Sequence, residues 1–224
     1  MSNPTWSSVT NHDAVYPDCI ILGGGLHARQ LAQFYRDAGG RVVAIIGPPD
    51  FVDYFKDIEW LGEDDEIVTV AAKNPKLKFL LGVGSSGKSL ARKNLISRLV
   101  QIGVLPQGFI HPSAIISPHC HIHPTAQIFP GAIVNHGVSI QENVLVNSGA
   151  IIEHDSVLGA ATHVAPGAVL CGNVTIGAGC HVGAKSVILE GLSVGDETLI
   201  GAGSVVTKNI PANKVAFGVP ALEK

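Results

Sequence analysis

Charged side chains are scarce in this 224-residue chain, since Asp, Glu, Lys and Arg make up only 15% of it. The formal net charge is −3 and the basic residues form no stripe, so the chain lacks the surface that binds a nucleic-acid backbone. No apolar run has membrane-spanning length, and the polar residues 1–17 lack the apolar core of a signal peptide. We therefore expect no nucleic-acid or membrane partner, a cytoplasmic location, and a separate N-terminal extension over residues 1–17.

Cysteine pairs with metal-binding or redox spacing are also absent. The four cysteines, Cys19, Cys120, Cys171 and Cys180, show no CxxC pattern, which fits a reducing compartment. Aromatic residues make up 5% of the chain, whereas there are 26 glycines and 13 prolines. This composition favours many short strands joined by tight turns over long amphipathic helices.

A six-residue hydrophobic repeat fills the second half of the chain. From Ile110 to Val206, every sixth residue is Ile, Val or Leu, at seventeen consecutive positions. Four residues after each of them the side chain is mostly small or β-branched, as at Ala114, Cys120, Ala126, Ala132, Ser156, Thr162, Ala168, Cys180, Ser186 and Ser204. This period suits a triangular coil of three short strands, in which both series point inward. It predicts a parallel β-helix over residues 106–212, with Cys120 and Cys180 as core residues.

The first part of the chain predicts a small Rossmann-like α/β domain over residues 18–105, and residues 213–224 are expected to form a C-terminal tail. Apolar segments and glycine punctuation predict strands over Asp18–Leu22, Arg41–Ile46 and Phe79–Val83, and helices over His27–Ala38 and Ser89–Gln101. Strands that alternate with helices are typical of a parallel sheet.

Two glycine motifs in this domain point to phosphate. Gly23, Gly25 and Ala28 fit G-x-G-x-x-A, in which backbone amides approach a phosphate at a helix N-terminus, although a turn that simply needs glycine explains them equally well. The acidic residue that would bind a dinucleotide ribose is replaced by Gly47-Pro48-Pro49. Residues 82–89 match GxxxxGK[ST], but the strand Arg41–Ile46 does not end in the Asp that magnesium requires. These motifs favour a sugar-nucleotide contact over nucleotide hydrolysis.

The ten histidines raise the alternative of a zinc enzyme. β-Helix carbonic anhydrases use two histidines five residues apart, whereas His136, His154, His163 and His181 are separated by eighteen, nine and eighteen residues. No metal is therefore predicted. His154 precedes Asp155, which can accept from one ring nitrogen and leave the other to take a proton, whereas the equivalent His136 has no acidic follower. The alternative is that each histidine is a solvated surface residue.

Several motifs together indicate a family. They are His27-Ala28-Arg29, Gly82-Val83-Gly84, Ile110-His111-Pro112-Ser113-Ala114, Asn147, Glu153-His154-Asp155, His163, Gly172-Asn173-Val174, Ile200–Val206 and Gly218-Val219-Pro220-Ala221. From Cys19 onward the chain resembles the two-domain hexapeptide acetyltransferases of bacterial nucleotide-sugar and sialic acid pathways, the PglD/NeuD type. The resemblance implies a left-handed β-helix and a homotrimer whose active sites lie between subunits.

The resemblance also implies the reaction and the residues that perform it. Acetyl would pass from acetyl-CoA to the 4-amino group of a nucleotide-linked deoxy-amino sugar, for surface glycan or lipopolysaccharide synthesis. His154 would be the general base and Asp155 its partner, while acetyl-CoA would lie along His163, Gly172, Ala184 and Ala202. The sugar nucleotide would contact Gly25, Leu26, His27, Gly84 and Asn147. Asn147, His154, Asp155 and His163 are expected to lie together on one edge of the coil.

Two alternatives to this reaction stay open at the level of sequence. One is O-acetylation of a sialic acid, and the other is a nucleotide-binding scaffold without catalysis. The base of the nucleotide is not predicted, because Gly47-Pro48-Pro49-Asp50 stands where the family often has an acidic pair near the base or ribose.

Overall fold

The structure, a computed structural model, describes residues 16–48, 53, 55–73, 76–85 and 91–224. It contains a small α/β unit followed by a long three-sided prism of stacked coils. Most of the predicted extension 1–17 and residues 86–89 of the GxxxxGK[ST] match lie outside the described residues. None of the helices in the described ranges is long and apolar enough to cross a membrane.

The α/β unit is built on a four-stranded parallel sheet in the order β3-β2-β1-β4. Its strands are β1 (Cys19–Leu22), β2 (Val42–Ile46), β3 (Glu59–Trp60) and β4 (Lys78–Leu81). Its helices are α1 (Leu26–Asp37), α2 (Ile67–Lys73) and α3 (Ala91–Gln101), with a 3₁₀ turn at Asp64–Glu66. Apolar residues of α1 pack on one face of the sheet, and those of α2 and α3 pack on the other. The predicted Rossmann-like parallel sheet is confirmed.

Two elements of this unit, β3 and α2, were not predicted. The sequence of α2 contains Ile67, Val68, Thr69 and Val70, whose β-branched side chains favour a strand. In the structure Ile67 and Val70 are buried, and their spacing of three residues places both on one side of a helical turn. Packing against the sheet therefore determines the conformation here, in place of local propensity.

Seventeen two-residue strands form the prism and confirm the predicted β-helix. Each strand pairs in parallel with the strand one coil away, for example Ile110 with Ile128. The strands are β5 (Phe109–Ile110), β6 (Ile115–Ile116), β7 (His121–Ile122), β8 (Gln127–Ile128), β9 (Ile133–Val134), β10 (Ser139–Ile140), β11 (Leu145–Val146), β12 (Ile151–Ile152), β13 (Val157–Leu158), β14 (His163–Val164), β15 (Val169–Leu170), β16 (Thr175–Ile176), β17 (His181–Val182), β18 (Val187–Ile188), β19 (Ser193–Val194), β20 (Leu199–Ile200) and β21 (Val205–Val206). Residues 213–224, predicted as a tail, include β22 (Val215–Phe217), which extends one sheet, and β23 (Leu222–Glu223), which pairs with it in the antiparallel direction.

The interior of the prism follows the six-residue repeat. The second residue of every strand from β7 to β21 is buried in one hydrophobic cluster, and the first two, Ile110 and Ile116, pack against its end. Cys120 and Cys180 belong to the same cluster, as predicted. The two inward series therefore supply a continuous apolar core.

The three outer faces of the prism differ in chemistry, because the first residue of each strand points outward. The docked face (β5, β8, β11, β14, β17, β20) lies against the α/β unit, and Phe109, Gln127, Leu145 and His163 are buried there. The apolar face (β6, β9, β12, β15, β18, β21) carries only Ile115, Ile133, Ile151, Val169, Val187 and Val205. The polar face (β7, β10, β13, β16, β19) carries His121, Ser139, Val157, Thr175 and Ser193.

Arg92 of α3 joins the α/β unit to the docked face. Its guanidinium donates to the carbonyl oxygens of Val83 (2.7 Å) and Leu81 (3.4 Å), and also to Gln127 Oε1 (3.0 Å) and Asn143 O (3.2 Å) on the prism. The side chain is 2% exposed, and burial lowers its pKa to about 10, so it remains charged at neutral pH. One buried cation thus binds oxygens of both units.

Candidate active site

His154 and Asp155 form a hydrogen-bonded pair at the corner that follows β12. His154 Nδ1 lies 2.9 Å from Asp155 Oδ2, and each side chain is 61% exposed. Because a carboxylate accepts, the proton lies on Nδ1 and Nε2 is left with a lone pair. The backbone N–H of Asp155 donates to His136 O (2.9 Å), and Asp155 has a positive φ of 59°. The coil below therefore holds the turn that presents this pair.

Glycines in the adjacent coils make room for both side chains. A Cβ at Gly172, one coil above, would lie 2.5 Å from His154 Nε2, and a Cβ at Gly137, one coil below, would clash with Asp155 Oδ1. His154 Nε2 therefore lies directly against the Gly172 backbone. The candidate base His154 and the candidate acetyl-CoA residue Gly172 are thus neighbours in successive coils.

His136 occupies the position equivalent to His154 in the preceding coil, as expected from their spacing. Its ring lies against His119, with ring centroids 5.0 Å apart. His136 is followed by Gly137, whereas His154 is followed by Asp155, so His154 is the one of the two that has a carboxylate partner. The two histidines share an edge but differ in their chemistry.

Asn147 and His163 form a second polar group on the docked face. Asn147 Oδ1 accepts from Ser148 N–H (2.8 Å), which leaves Nδ2 to donate to His163 Nε2 (3.2 Å). His163 Nδ1 must then carry the proton, which it donates to Ser85 O (2.8 Å). Burial, reinforced by His181, lowers the pKa of His163 to about 3. His163 is therefore a neutral histidine of defined tautomer that connects the prism to the α/β unit.

The expectation that Asn147, His154, Asp155 and His163 share one edge is wrong. Asn147 follows β11 of the docked face, whereas His154 follows β12 of the apolar face. Corners recur every six residues, and His154 lies seven positions after Asn147, so it belongs to the next corner. Within one chain these four residues form two separate pairs, His154 with Asp155 and Asn147 with His163.

The predicted acetyl-CoA residues Ala184 and Ala202 occupy equivalent corner positions after β17 and β20. Their coils are adjacent, and Gly203 N–H donates to Ala184 O (2.8 Å). This corner is separate from the corner of His154 and Gly172, which follows strands of the apolar face. The four residues assigned to acetyl-CoA are thus distributed over different parts of one prism.

In the turn after β1, Gly24 is closely packed and Gly25 is open. A Cβ at Gly24 would clash with Pro48 O, and one at Gly47 would lie 2.6 Å from Gly24 N, so the turns after β1 and β2 touch through their backbones. A Cβ at Gly25 would meet no atom of the described residues within 4 Å. Close packing therefore accounts for glycine at position 24, whereas the space around Gly25, the residue before α1, is accessible.

His27 and Gly84 lie together beside this turn. A Cβ at Gly84 would lie 3.3 Å from the His27 ring, which stacks on Phe129 with ring centroids 5.5 Å apart. His27 Nε2 is buried and has no hydrogen-bond partner among the described residues, and burial, followed by the charge of Arg92, lowers the His27 pKa to about 4. A groove of about 610 Å³ opens alongside and is lined by Leu26, His27, Arg29, Gln30, Gln33 and Phe34.

Two contributors to this region, Ser85 and Arg92, were missed from sequence. Ser85 acts through its carbonyl oxygen, which every residue type has, so no sequence pattern could indicate it. Arg92 lies in a predicted helix, where an arginine is normally a surface residue. Its role depends on carbonyl groups that approach it only in the folded structure.

The fold and the His154–Asp155 pair resemble those of hexapeptide-repeat transferases. A family model of bacterial transferase hexapeptide repeats matches residues 155–190 and 173–208. Sequence comparison with curated proteins finds no match.

Solved structures match this chain over nearly its whole length. PerB from Caulobacter crescentus, in complex with CoA and GDP-perosamine, is 29% identical, with a TM-score of 0.82 over 94% of this chain and 98% of that one. A histidine-to-alanine variant of GDP-perosamine N-acetyl transferase from the same organism is 25% identical over 94% and 98%, with a TM-score of 0.61. The acetyltransferase domain of PglB from Neisseria gonorrhoeae, 24% identical over 92% and 99% with a TM-score of 0.80, agrees in fold. The chain is therefore similar in fold and extent to two-domain hexapeptide-repeat acetyltransferases of the PglD/NeuD type.

Proposed function

We propose that this protein transfers acetyl from acetyl-CoA to the 4-amino group of a nucleotide-linked deoxy-amino sugar, in the synthesis of a surface glycan or lipopolysaccharide. The observation that carries the proposal is the His154–Asp155 pair, whose free Nε2 lies against Gly172. The substrate classes are supported by PerB, which matches nearly the whole chain and holds CoA and GDP-perosamine.

The His154–Asp155 pair supplies the chemistry that this transfer requires. As the neutral amine attacks the thioester carbonyl, His154 Nε2 takes a proton from the nitrogen, and Asp155 stabilises the resulting imidazolium. The tetrahedral intermediate then breaks its C–S bond and releases CoA, whose sulfur takes up the proton. A backbone N–H near Gly172 stabilises the oxyanion. The reaction needs no metal, because the base is a side chain.

The remaining predicted residues are assigned to two binding regions. Gly172, Ala184 and Ala202 line an acetyl-CoA groove between neighbouring subunits, since they lie at different corners of one prism. His163 is 5% exposed and both of its ring nitrogens are bonded, so it supports this site by holding Asn147. Asn147 orients the acceptor, and the sugar nucleotide contacts Gly25, Leu26, His27 and Gly84. The open space at Gly25 favours a nucleotide-linked acceptor over free sialic acid.

The assembly we propose is a homotrimer whose prisms pack through the apolar face. A continuous surface of outward Ile and Val residues is stabilised when another chain covers it. The corner of His154 follows a strand of this face, so a neighbouring subunit would adjoin the catalytic pair. Because His154 and Asn147 lie at different corners of one prism, a site shared between subunits would unite them. Acetyl-CoA is an intracellular cosubstrate, so we place the enzyme in the cytoplasm.

The test is a turnover screen of UDP-, GDP- and dTDP-linked 4-amino sugars with acetyl-CoA, in which turnover is measured as release of the CoA thiol. For the accepted substrate, His154→Ala should lower kcat by about two to four powers of ten, as expected for loss of a general base, while acetyl-CoA binding persists. His136→Ala, at the equivalent corner, is the matched control and should keep nearly full activity. Normal turnover by His154→Ala would disprove the assignment, and an equal loss in His136→Ala would place the base at the other histidine.

A further inference from the structure

Trp60 is an exposed aromatic residue at the edge of the parallel sheet. It ends β3, the outermost strand, and its side chain is 40% exposed. Its partner in the ladder is Ile45 of β2, which packs in the cluster beneath α1. Paired residues of parallel strands direct their side chains to the same face, so Trp60 lies on the α1 side of the sheet.

The indole ring is held close to the glycine turn after β1. Trp60 Nε1–H donates to Gly47 O (3.0 Å), while Gly47 N–H donates to Gly62 O (2.9 Å). Gly47 in turn approaches Gly24 so closely that a Cβ on it would lie 2.6 Å from Gly24 N. A chain of backbone contacts therefore fixes the exposed indole next to the Gly24–Gly25 turn.

The two residues directly after β2, where an acidic residue usually binds a ribose, have a different chemistry in this chain. β2 is followed by Gly47 and Pro48, which have no side-chain acceptor for a diol. In open parallel sheets, a nucleotide that places its phosphates at the first helix extends its nucleoside toward the carboxyl end of the neighbouring strand. At that position this chain offers an aromatic surface.

We propose that Trp60 stacks on the nucleobase of the sugar nucleotide, whose diphosphate lies at Gly25. The inference rests on the proposed function and identifies how this protein holds the base. Stacking on an aromatic ring contributes affinity for any base, because every base has a π face. The indole N–H is engaged by Gly47, so the ring contributes its face and reads no hydrogen-bonding edge.

The experiment uses the full-length chain with Trp6→Phe, which leaves Trp60 as its only tryptophan. GDP, UDP and dTDP are titrated while tryptophan fluorescence is recorded, and we expect saturable quenching by at least one of them. Trp60→Phe and Trp60→Leu then form a matched pair, because both lose the hydrogen bond to Gly47 and only phenylalanine can stack. Dissociation constants of these variants are measured by calorimetry, with thermal unfolding as the check on folding.

Stacking predicts that Trp60→Phe binds the nucleotide about tenfold more tightly than Trp60→Leu. For the sugar nucleotide, KM should rise in Trp60→Leu while kcat stays unchanged. Equal affinity of the two variants would overturn the inference and leave Trp60 a structural residue. If the wild type acetylates a nucleotide-linked sugar but both variants keep its KM, only this inference fails. If the wild type neither binds these nucleotides nor acetylates their sugars, the proposed function fails as well.

Discussion

Glycine at position 172 determines where the His154 imidazole can lie. Gly172→Ala would place a methyl group 2.5 Å from His154 Nε2 and push the ring aside. A displacement of about 1 Å at a reacting group can lower the rate about a hundredfold, so we expect a loss of that order in kcat with little change in Tm. Steady-state kinetics and thermal unfolding would measure the two effects.

The control for this variant is Glu190→Ala, at the equivalent exposed corner one coil further along. It should keep the wild-type kcat. If Gly172→Ala also turned over normally, the ring would have another accessible position, and its contact with Gly172 would not matter for the reaction.

Two buried histidines make the stability of the fold depend on pH. The folded-state pKa is about 3 for His163 and about 4 for His27, because burial disfavours the charged ring. An unfolded histidine titrates near 6.5, so below that pH the unfolded chain binds more protons than the folded one. The free energy of unfolding should therefore fall as pH decreases from about 6.5 toward 4, by about 1.4 kcal/mol per unit for each histidine.

Denaturant unfolding at pH 7, 6 and 5 would measure this slope. His163→Gln removes one of the two groups and should reduce the slope substantially, whatever its effect on absolute stability. The same slope in both proteins would mean that His163 is not the neutral, buried group that its contacts with Asn147 and Ser85 indicate.

Sequence could predict the His154–Asp155 pair because the residues are adjacent and their chemistry is complementary. The pairing of Asn147 with His163 could not be predicted in the same way, since the residues are sixteen positions apart and meet across a corner. Their contact depends on how a coil distributes residues over its three corners. The nitrogen that carries the proton in His163 depends further on a backbone carbonyl from the other unit.

At the level of elements, α3 is held to the prism by the buried charge of Arg92. Arg92→Met keeps much of the volume but leaves the oxygens of Val83, Gln127 and Asn143 without their donor. An unsatisfied buried polar group costs about 1–3 kcal/mol, so we expect the free energy of unfolding to fall by about 3 kcal/mol. Denaturant unfolding measures the change.

Arg98→Met, on the same helix at a partly exposed position, is the control for this variant and should change stability by less than about 1 kcal/mol. Equal effects of the two substitutions would show that loss of a charge from α3, and not loss of the contacts to the prism, governs stability.

An element could be predicted from sequence where its own residues determine its conformation. Every strand of the prism repeats one pattern, so the positions from Ile110 to Val206 could be assigned from the period alone. The strand β3 has only two residues, Glu59 and Trp60, and exists through its ladder with β2. Such an element has too little sequence to produce a pattern.

At the scale of the whole molecule, the contrast between two prism faces predicts how chains associate. Val169→Glu places a charge in the middle of the apolar face, and we expect it to convert a trimer into monomers, because a carboxylate is costly to bury without a partner. Activity should fall with the trimer if the site is shared. Light scattering after size-exclusion chromatography measures the mass.

Thr175→Glu introduces the same charge on the polar face and should leave both mass and activity unchanged. If Val169→Glu remained trimeric while folded, the chains would associate through another surface, and the apolar face would need a different explanation.

The coil structure also limits how such a protein can change in length. Residues 18 positions apart, such as His163 and His181, occupy the same place in successive coils. Inserting or deleting 18 residues therefore preserves the face of every downstream residue, whereas a change of six moves each of them to the next face. The core would accept either change, because its period is six. The faces and corners would accept only the first, so the surface chemistry, and not the interior, restricts this prism to whole-coil steps in length.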